Sequence, residues 1–341
     1  MAAVVAHVAA IGLACPLGLR SQPALAAMAA GITRFVEVDN IDEADGSLKA
    51  SLLGALDPAL ARAERIAWFG RLALAEALAG VEDPSPALRC VLSLPARGVG
   101  PPIDVAALQH ALTDRLAPSA MQVIEEGRGG VFQALAAALV TLEREGSVVV
   151  GGVDSLVDPS TLATLASRRR LLGRTNLDGI IPGEGAAFVL LTHPTESPRR
   201  PPLALIHNVA VAREPQPFLA ASPTIGGSSG LSAVFRTLGA GFSERVDEVF
   251  AATSGEVYFG REFTHAYLRN AALMPEPLRH NQLSAVLGDV GAAAGAIALV
   301  QAIARLGPRG PGNRGRPARL CLAYGSSDTG LVGGCVVGRA S

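Results

Sequence analysis

Apolar runs of two different periods alternate along the chain, and this alternation constrains the fold more than any other feature of the sequence. Short runs rich in β-branched residues predict strands, and the Ala- and Leu-rich stretches between them have the period of helices. Predicted strands cover 4–11, 90–94, 148–151, 186–191, 203–211, 248–252, 320–324 and 333–337; predicted helices cover 59–79, 105–116, 131–145, 229–237 and 292–306. The alternation predicts an α/β fold in which helices are layered on a largely buried sheet.

Charge and cysteine usage exclude several classes of protein. The 341 residues include 29 Lys and Arg against 30 Asp and Glu, which excludes a polybasic nucleic-acid binder and a disordered chain. The apolar segment 2–19 has no preceding basic residue and is interrupted by His7 and Pro16, so we expect a buried strand, with no signal peptide and no membrane contact. The four cysteines are widely spaced, and this spacing indicates neither a zinc site nor a disulfide framework. No cofactor is expected. A cytoplasmic location fits best.

A Pro-rich break at 194–202 divides the chain. The part before it, residues 1–195, and the part after it, residues 200–341, each end in a pair of apolar runs punctuated by glycine. This length suits two domains or one duplicated one, and the repeated ending predicts two similar halves.

A glycine-rich segment at 125–130 leads directly into a predicted helix. Such an entry exposes backbone N–H groups of Gly127, Arg128, Gly129 and Gly130 that can hold an anion or an oxyanion. Glycines also stand at such junctions where a helix approaches another backbone closely. Both interpretations stay open on the sequence alone.

Several motifs in succession are more specific than any one of them. In the first part of the chain, a predicted strand ends in Gly-Gly-Val-Asp-Ser at 151–155, and Asp-Gly-x-x-Pro-Gly-Glu-Gly-Ala begins at 178 and leads into a further strand. In the second part, Gly-Asp-x-Gly-Ala-Ala-Ala-Gly stands at 288–295 and Tyr-Gly-Ser-Ser-Asp-x-Gly at 324–330. This succession resembles the β-ketoacyl synthases of the thiolase-like superfamily over nearly the whole chain. The resemblance implies a five-layer α-β-α-β-α fold with two pseudo-symmetric halves. It also implies a dimer, and the segment Arg89–Leu94 resembles the strand that continues the sheet across the dimer axis.

The catalytic set of that family is not matched. The resemblance puts the nucleophilic cysteine at Gly127, the two histidines at Ser254 and Asp289, and an upstream lysine near Ser284. Gly129, Gly130, Arg128 and Gly325 are then candidate binding residues around the site. A thiolate needs a cysteine at the helix entry, and an anionic Asp289 opposes the charge that develops on a thioester oxyanion, so the ordinary condensation is not expected.

Two hypotheses about function remain. The first is a catalytically silent ketosynthase-like protein that binds a partner, either as a homodimer or as half of a heterodimer with a thiolase-fold subunit in the manner of a chain-length factor; a role as accessory of a type VI secretion effector is a further form of it. The second is an acyltransferase, thioesterase or decarboxylase with changed catalytic residues, using Asp289, Ser254 or one of His265 and His280 with water.

The remaining charged and thiol residues have structural interpretations. We expect the arginines at 168–170 and Arg174 to form a solvated edge, which would also attract an acidic acyl carrier protein. Asp154 and Glu184 are expected to bond turn amides. The cysteines are expected to be small core residues.

Overall fold

The computed structural model describes residues 5–38, 47–81, 88–112, 116–195, 201–220, 228–307 and 318–340. The strands are β1 (Ala6–Ala14), β2 (Phe35–Val38), β3 (Leu48–Ser51), β4 (Arg89–Leu94), β5 (Met121–Glu125), β6 (Ser147–Ser155), β7 (Glu184–Thr192), β8 (Ala204–Arg213), β9 (Glu248–Ala252), β10 (His280–Gln282), β11 (Leu320–Ser326) and β12 (Leu331–Gly338). The helices are α1 (Ser21–Ala29), α2 (Arg62–Ala77), α3 (Val105–Leu112), α4 (Gly130–Glu145), α5 (Pro159–Ser167), α6 (Ser229–Gly239), α7 (Val257–Arg269), α8 (Ser284–Leu287) and α9 (Ala293–Leu306).

Two five-stranded units of identical topology make up the main sheet. The strand order is β5-β4-β6-β7-β1 in the first and β10-β9-β11-β12-β8 in the second. In each unit the fourth strand, β7 or β12, runs antiparallel to both of its neighbours, while the other two adjacent pairs are parallel. A short antiparallel pairing between β1 and β8 joins the two units. The two halves are therefore pseudo-symmetric, as the sequence predicts.

The helices form three layers around these sheets. α4 and α9 lie between the two units and contact strands of both, whereas α2 covers the outer face of the first unit and α6 that of the second. α9 is buried along almost its whole length. The resulting order of layers is α-β-α-β-α, and the predicted five-layer architecture is confirmed.

Close contact between the two central helices depends on one glycine. A Cβ on Gly295 would lie 2.5 Å from the backbone oxygen of Arg128, at the entry to α4. α9 can therefore approach the start of α4 only because this position has no side chain.

The structure corrects one prediction about the sheet edge. β4, the segment Arg89–Leu94, pairs with β5 on one side and β6 on the other, so its backbone groups are used within the chain. The free edge of the first unit is β5, which the sequence pattern did not identify. β4 therefore cannot continue the sheet into a second subunit, and β5 can.

None of the helices in the described part of the chain combines the length and the apolar character that crossing a membrane requires.

Candidate functional site

The three positions that the sequence resemblance assigns to catalytic residues lie around one buried region. Gly127 begins a 3-10 turn that leads into α4, Ser254 follows β9, and Asp289 stands between α8 and α9. These elements bring loops from both halves to the same place. Gly127 and Asp289 line one cleft, and Ser254 is connected to it through the side chains described next.

Five charged side chains, each at most 7% exposed, form what we call the charged cluster: Arg128, Arg170, Glu256, Asp289 and Asp328. Arg128 donates from Nη1 to Asp289 at 2.8 Å, from Nη2 to Asp328, and from Nε to the Ser326 carbonyl at 3.0 Å. Its guanidinium carbon also lies 4.8 Å from the centre of the Phe259 ring. Every nitrogen of Arg128 is thus engaged within the protein.

Arg170 forms the second cationic centre of the cluster. It binds Glu256 through Nη2 at 2.5 Å and Nε at 3.0 Å, and Asp328 through Nη1 at 2.5 Å. The prediction of a solvated arginine edge is therefore wrong for Arg170, although Arg168, Arg169 and Arg174 are exposed. Burial of Arg170 is possible because two carboxylates from the other half of the chain neutralise it.

The origin of the charges follows the division of the chain. Both arginines belong to the first half, and all three carboxylates belong to the second. Ser254 extends the cluster by donating its hydroxyl to Glu256 at 2.7 Å. The cluster therefore connects the halves by ion pairs in which each half supplies one sign of charge.

The acids differ in how well their charge is compensated. Burial alone would raise the pKa of Asp328, but attraction to Arg128 and Arg170 outweighs it, so this pKa is lowered. The pKa of Glu256 is raised, because burial exceeds the effect of its one arginine, Arg170. Although burial opposes the charged form of Arg128, its attraction to Asp289 and Asp328 raises its pKa. The ionised form is therefore favoured for Asp328, which contacts both arginines, and disfavoured for Glu256.

Three glycines that were predicted to bind a ligand allow close packing. A Cβ added to Gly129 would lie 2.8 Å from the Leu331 carbonyl oxygen, and one added to Gly130 would lie 2.4 Å from the Ser93 hydroxyl. A Cβ added to Gly325 would lie 2.8 Å from the Arg128 carbonyl oxygen. The Gly129 N–H donates to the Ser327 hydroxyl at 2.8 Å. These contacts correspond to the close-approach interpretation of the glycine-rich segment.

Gly127 is different, because it has both room and an unusual backbone. Its φ is +72°, and the nearest atom to a Cβ there would be 3.7 Å away. The position could hold a side chain sterically, but glycine adopts this left-handed conformation without strain. The chain itself supplies no nucleophilic atom at this position.

The four thiols lie away from this region and are all buried. Burial raises the pKa of Cys15, Cys90 and Cys335 to about 12, and that of Cys321 well above its usual value. A thiol that is neutral at ordinary pH is a poor nucleophile. The cysteines are core residues, as predicted.

Neither of the two histidines considered as substitutes bonds to the charged cluster. The His280 ring stacks on Phe263 at 3.9 Å between centroids, and its Nε2 lies 3.2 Å from the Tyr324 hydroxyl. Burial lowers the pKa of His280 to about 4. His265 lies on α7 and makes no hydrogen bond to the cluster.

Two further buried ion pairs hold the turns next to the cluster. Asp154 pairs with Arg62 and accepts from the Ala292 N–H at 2.9 Å. Glu184 pairs with Arg65 and accepts from the Leu53 N–H at 2.9 Å. Both acids bond backbone amides as predicted, but their arginine partners on α2 were not identified from the sequence.

Little space remains beside the charged cluster. A partly open cleft of about 50 Å³ runs from Gly127 past Asp154 and Asp289. This is room for one or two water molecules or for the narrow end of a small molecule. In the described part of the chain, no group of three His, Cys, Asp or Glu residues is arranged to hold a metal ion.

Arg170, Glu256 and Asp328 are the members of the cluster that sequence reasoning missed. Asp328 stands inside the glycine-rich motif at 324–330, where an acid among small residues was a usable signal. Arg170 and Glu256 gave no such signal, since a charged residue next to a turn is usually solvated.

Comparison with known proteins gives a fold. No family model and no curated protein matches the sequence. Among solved structures, the ketosynthase from module 6 of the bacillaene synthase from Bacillus subtilis 168 superposes with a TM-score of 0.74 at 12% identity, covering 98% of this chain and 72% of that one. The ishigamide ketosynthase/chain length factor gives a TM-score of 0.76 at 15% identity over 98% of this chain and 99% of that one. A structure of a type II polyketide acyl-carrier protein in complex with its ketosynthase bound to the hexaketide gives a TM-score of 0.74 at 14% identity, covering 98% of this chain and 99% of that one. The chain has the thiolase-like fold of ketosynthases.

Proposed function

We propose that this protein is a catalytically silent ketosynthase-like subunit that acts as the non-condensing partner in a dimer of thiolase-fold chains, in the manner of a chain-length factor. One observation carries the proposal: the charged cluster fills the region around Gly127, Ser254 and Asp289, where a condensing enzyme of this fold would need its nucleophile and its histidines.

Condensation needs a thiolate and donors for the oxyanion that it forms. Gly127 offers no nucleophile. The Asp289 carboxylate is occupied by Arg128 and by the Gly291 N–H at 2.9 Å, and it brings negative charge to the place where negative charge would develop. The chemistry of these groups supports a site that has lost condensation.

The same contacts argue against an acyltransferase, thioesterase or decarboxylase with changed catalytic residues. A general base must accept a proton from water, and Ser254 already donates to Glu256 while Glu256 and Asp289 are both held by arginines. Each oxygen of these two carboxylates accepts a hydrogen bond from the protein, so neither carboxylate presents a free oxygen to water. Rearrangement of the whole cluster would be required before water could be activated.

The partner is best sought at the free edge of the first unit. Among the described residues, no strand pairs with the outer side of β5, and the groove of about 310 Å³ beside it is lined by Val140 of α4, which is 60% exposed. A second thiolase-fold chain pairing there would extend the sheet and cover Val140. An obligate interface of that kind should bury more than about 2,000 Å².

Other partners follow from charge and remain to be tested. The exposed Arg168, Arg169 and Arg174 form a basic rim that suits an acidic acyl carrier protein. An accessory role beside a secretion effector stays a prediction. A cytoplasmic location also stays a prediction, and the four buried free thiols support it.

Loss of condensation is tested by intact mass. The pure protein is incubated with acyl thioesters of an acyl carrier protein, and an active ketosynthase serves as positive control. We expect no acyl adduct. A stoichiometric adduct that disappears when one of the four cysteines is changed to Ala would overturn the proposal.

Dimerisation is tested by sedimentation with a matched pair of variants. Val140→Asp should convert the dimer to a monomer, because a carboxylate cannot be buried unpaired in an interface. Leu268→Asp, at a comparably exposed position on α7 (65%), should leave the dimer intact. If the pure protein is a monomer, the same pair is compared for binding to an active ketosynthase. Equal behaviour of both variants in both assays would refute this interface.

A further inference from the structure

We infer that the segment 214–220, which we call the strap, is a pH-sensitive cover that opens when the buried side chain of Glu262 beside it loses its proton. The strap follows β8 and lies against the turn between β11 and β12 and against the start of α7. Its opening lets water reach the charged cluster. The inference is independent of the proposed dimer, because every group involved belongs to one chain.

Hydrogen bonds to other elements hold the strap at both ends and near its middle. The N–H groups of Glu214 and Leu219 donate to carbonyl oxygens in the turn between β11 and β12, at 2.7 and 3.1 Å. The Tyr258 hydroxyl on α7 donates to the Gln216 carbonyl oxygen at 2.6 Å. The two prolines of the strap supply no N–H. An irregular segment held in this way opens at a lower free energy than a strand or helix of the core.

The strap covers part of the charged cluster. The guanidinium carbon of Arg170 lies 4.7 Å from the centre of the Phe218 ring. The Leu219 N–H donates to the carbonyl oxygen of Asp328, whose side chain binds Arg170. When the strap opens, Arg170 loses the ring that covers it, and water can reach its ion pairs with Glu256 and Asp328. The position of the strap therefore controls the hydration of the cluster.

Glu262 lies next to the strap. It stands four residues after Tyr258 on α7, so the two side chains share one face of the helix, and Tyr258 contacts the strap. Glu262 is 2% exposed, and neither of its carboxyl oxygens has a hydrogen-bond partner among the described residues. Glu214, at the start of the strap, is also buried, and its Oε2 accepts from the Gly230 N–H at 2.8 Å. Two buried acids therefore lie where the strap joins α6 and α7.

The surroundings of Glu262 oppose its ionisation. Burial is the largest effect and raises the pKa of Glu262 to about 7, and Glu214 adds to the rise. The Ser326 side chain on β11 and the Arg128 guanidinium at the entry to α4 act in the opposite direction without compensating it. An ionised Glu262 therefore needs water, and the strap is the irregular element beside it, whereas β11 and α7 are packed in the layers of the fold. The titratable and charged groups that act on Glu262 or respond to it come from four elements: Glu214, Arg128, Tyr258 and Tyr324.

The test is hydrogen–deuterium exchange of the strap amides in the full-length protein, measured by mass spectrometry and corrected for the intrinsic exchange rate at each pH. An acid whose pKa is about 7 when covered and the ordinary 4.5 when exposed makes the equilibrium constant for opening rise with pH. The rise should be about 40-fold from pH 5 to 7 and only about twofold more from pH 7 to 8. Amides of α9 should exchange more slowly than those of the strap at every pH.

Three variants complete the test. Glu262→Gln cannot ionise and should remove the pH dependence of opening. Glu214→Gln can still accept from the Gly230 N–H but removes one charge that opposes the ionisation of Glu262, so it should reduce the rise. Glu143→Gln, at an exposed position on α4, is the control and should keep the rise of the wild type.

Circular dichroism confirms that each variant is folded, and if Glu262→Gln is not, the size of the rise in Glu214→Gln decides. An equal rise in the wild type and in folded Glu262→Gln would overturn the inference. So would a wild type without a rise, a Glu214→Gln variant with the full rise, or strap amides that exchange as slowly as those of α9.

Discussion

Replacement of Arg128 by Met tests whether the charged cluster stabilises the fold as its geometry indicates. The methionine retains much of the apolar stem but removes three hydrogen bonds, to Asp289, Asp328 and the Ser326 carbonyl. Asp328 keeps Arg170, whereas Asp289 loses its only ion-pair partner among the described residues. Breaking a buried ion pair from one side costs about 3–5 kcal/mol, and we expect Arg128→Met to fall in that range.

The double variant Arg128→Met/Asp289→Asn separates the ion pair from the packing. The asparagine oxygen can still accept from the Gly291 N–H but needs no counter-charge. The double variant should therefore cost about 1–3 kcal/mol less than the sum of the two single variants.

Urea unfolding followed by circular dichroism gives these free energies. Arg319→Met is the control, because the Arg319–Glu244 pair is 63% and 60% exposed and its loss should change stability by no more than about 0.5 kcal/mol. If Arg128→Met costs no more than Arg319→Met, or if the single variants add to the double, the buried network does not exist in solution.

Three other predictions concern single sites. Burial raises the pKa of Glu262 to about 7 from its ordinary 4.5, so the contribution of this residue to stability is complete below about pH 4.5 and is lost as the pH rises through 7. The resulting fall in the free energy of unfolding is about 3 kcal/mol, and Glu262→Gln should abolish it in urea unfolding measured from pH 5 to 8. A fall that is unchanged in Glu262→Gln would contradict this prediction. Native protein should not react with a thiol reagent, and unfolded protein should react at four sites; labelling of the native state would contradict the burial of the cysteines. Gly127→Ala should lower the free energy of unfolding by only about 1 kcal/mol, through backbone strain, whereas Gly295→Ala should lower it more because the added methyl group meets a backbone oxygen. The reverse order of the two urea unfolding midpoints would refute both arguments.

The fold was largely predictable from apolar periodicity. The predicted strand 248–252 coincides with β9, and the helix predicted at 131–145 differs from α4 by one residue. β10 could not be predicted, because His-Asn-Gln has no strand pattern and is extended only through its pairing with β9. α7 was missed although Phe259 and Phe263 mark one face of it, because charged residues between them give the segment little net hydrophobicity.

The position of the proposed site came from sequence motifs, but the charged cluster around it did not. The motifs that carry the family resemblance located Gly127, Ser254 and Asp289, because backbone-shaping glycines are local features of a sequence. The burial of Arg170 depends on Glu256 and Asp328, which lie 86 and 158 residues further along the chain. Nothing within a local window distinguishes such an arginine from a solvated one.

The separation of charge between the halves has a consequence for how the chain could be divided. A cut between β7 and β8 would leave one fragment with Arg128 and Arg170 and the other with Glu256, Asp289 and Asp328. Each fragment alone would have to hydrate or expose charges that the intact protein buries in ion pairs of opposite sign. The two pieces, expressed separately, should therefore fold poorly alone and should form the structure of the intact protein when they are mixed. The two halves of the chain would then behave as complementary polypeptides.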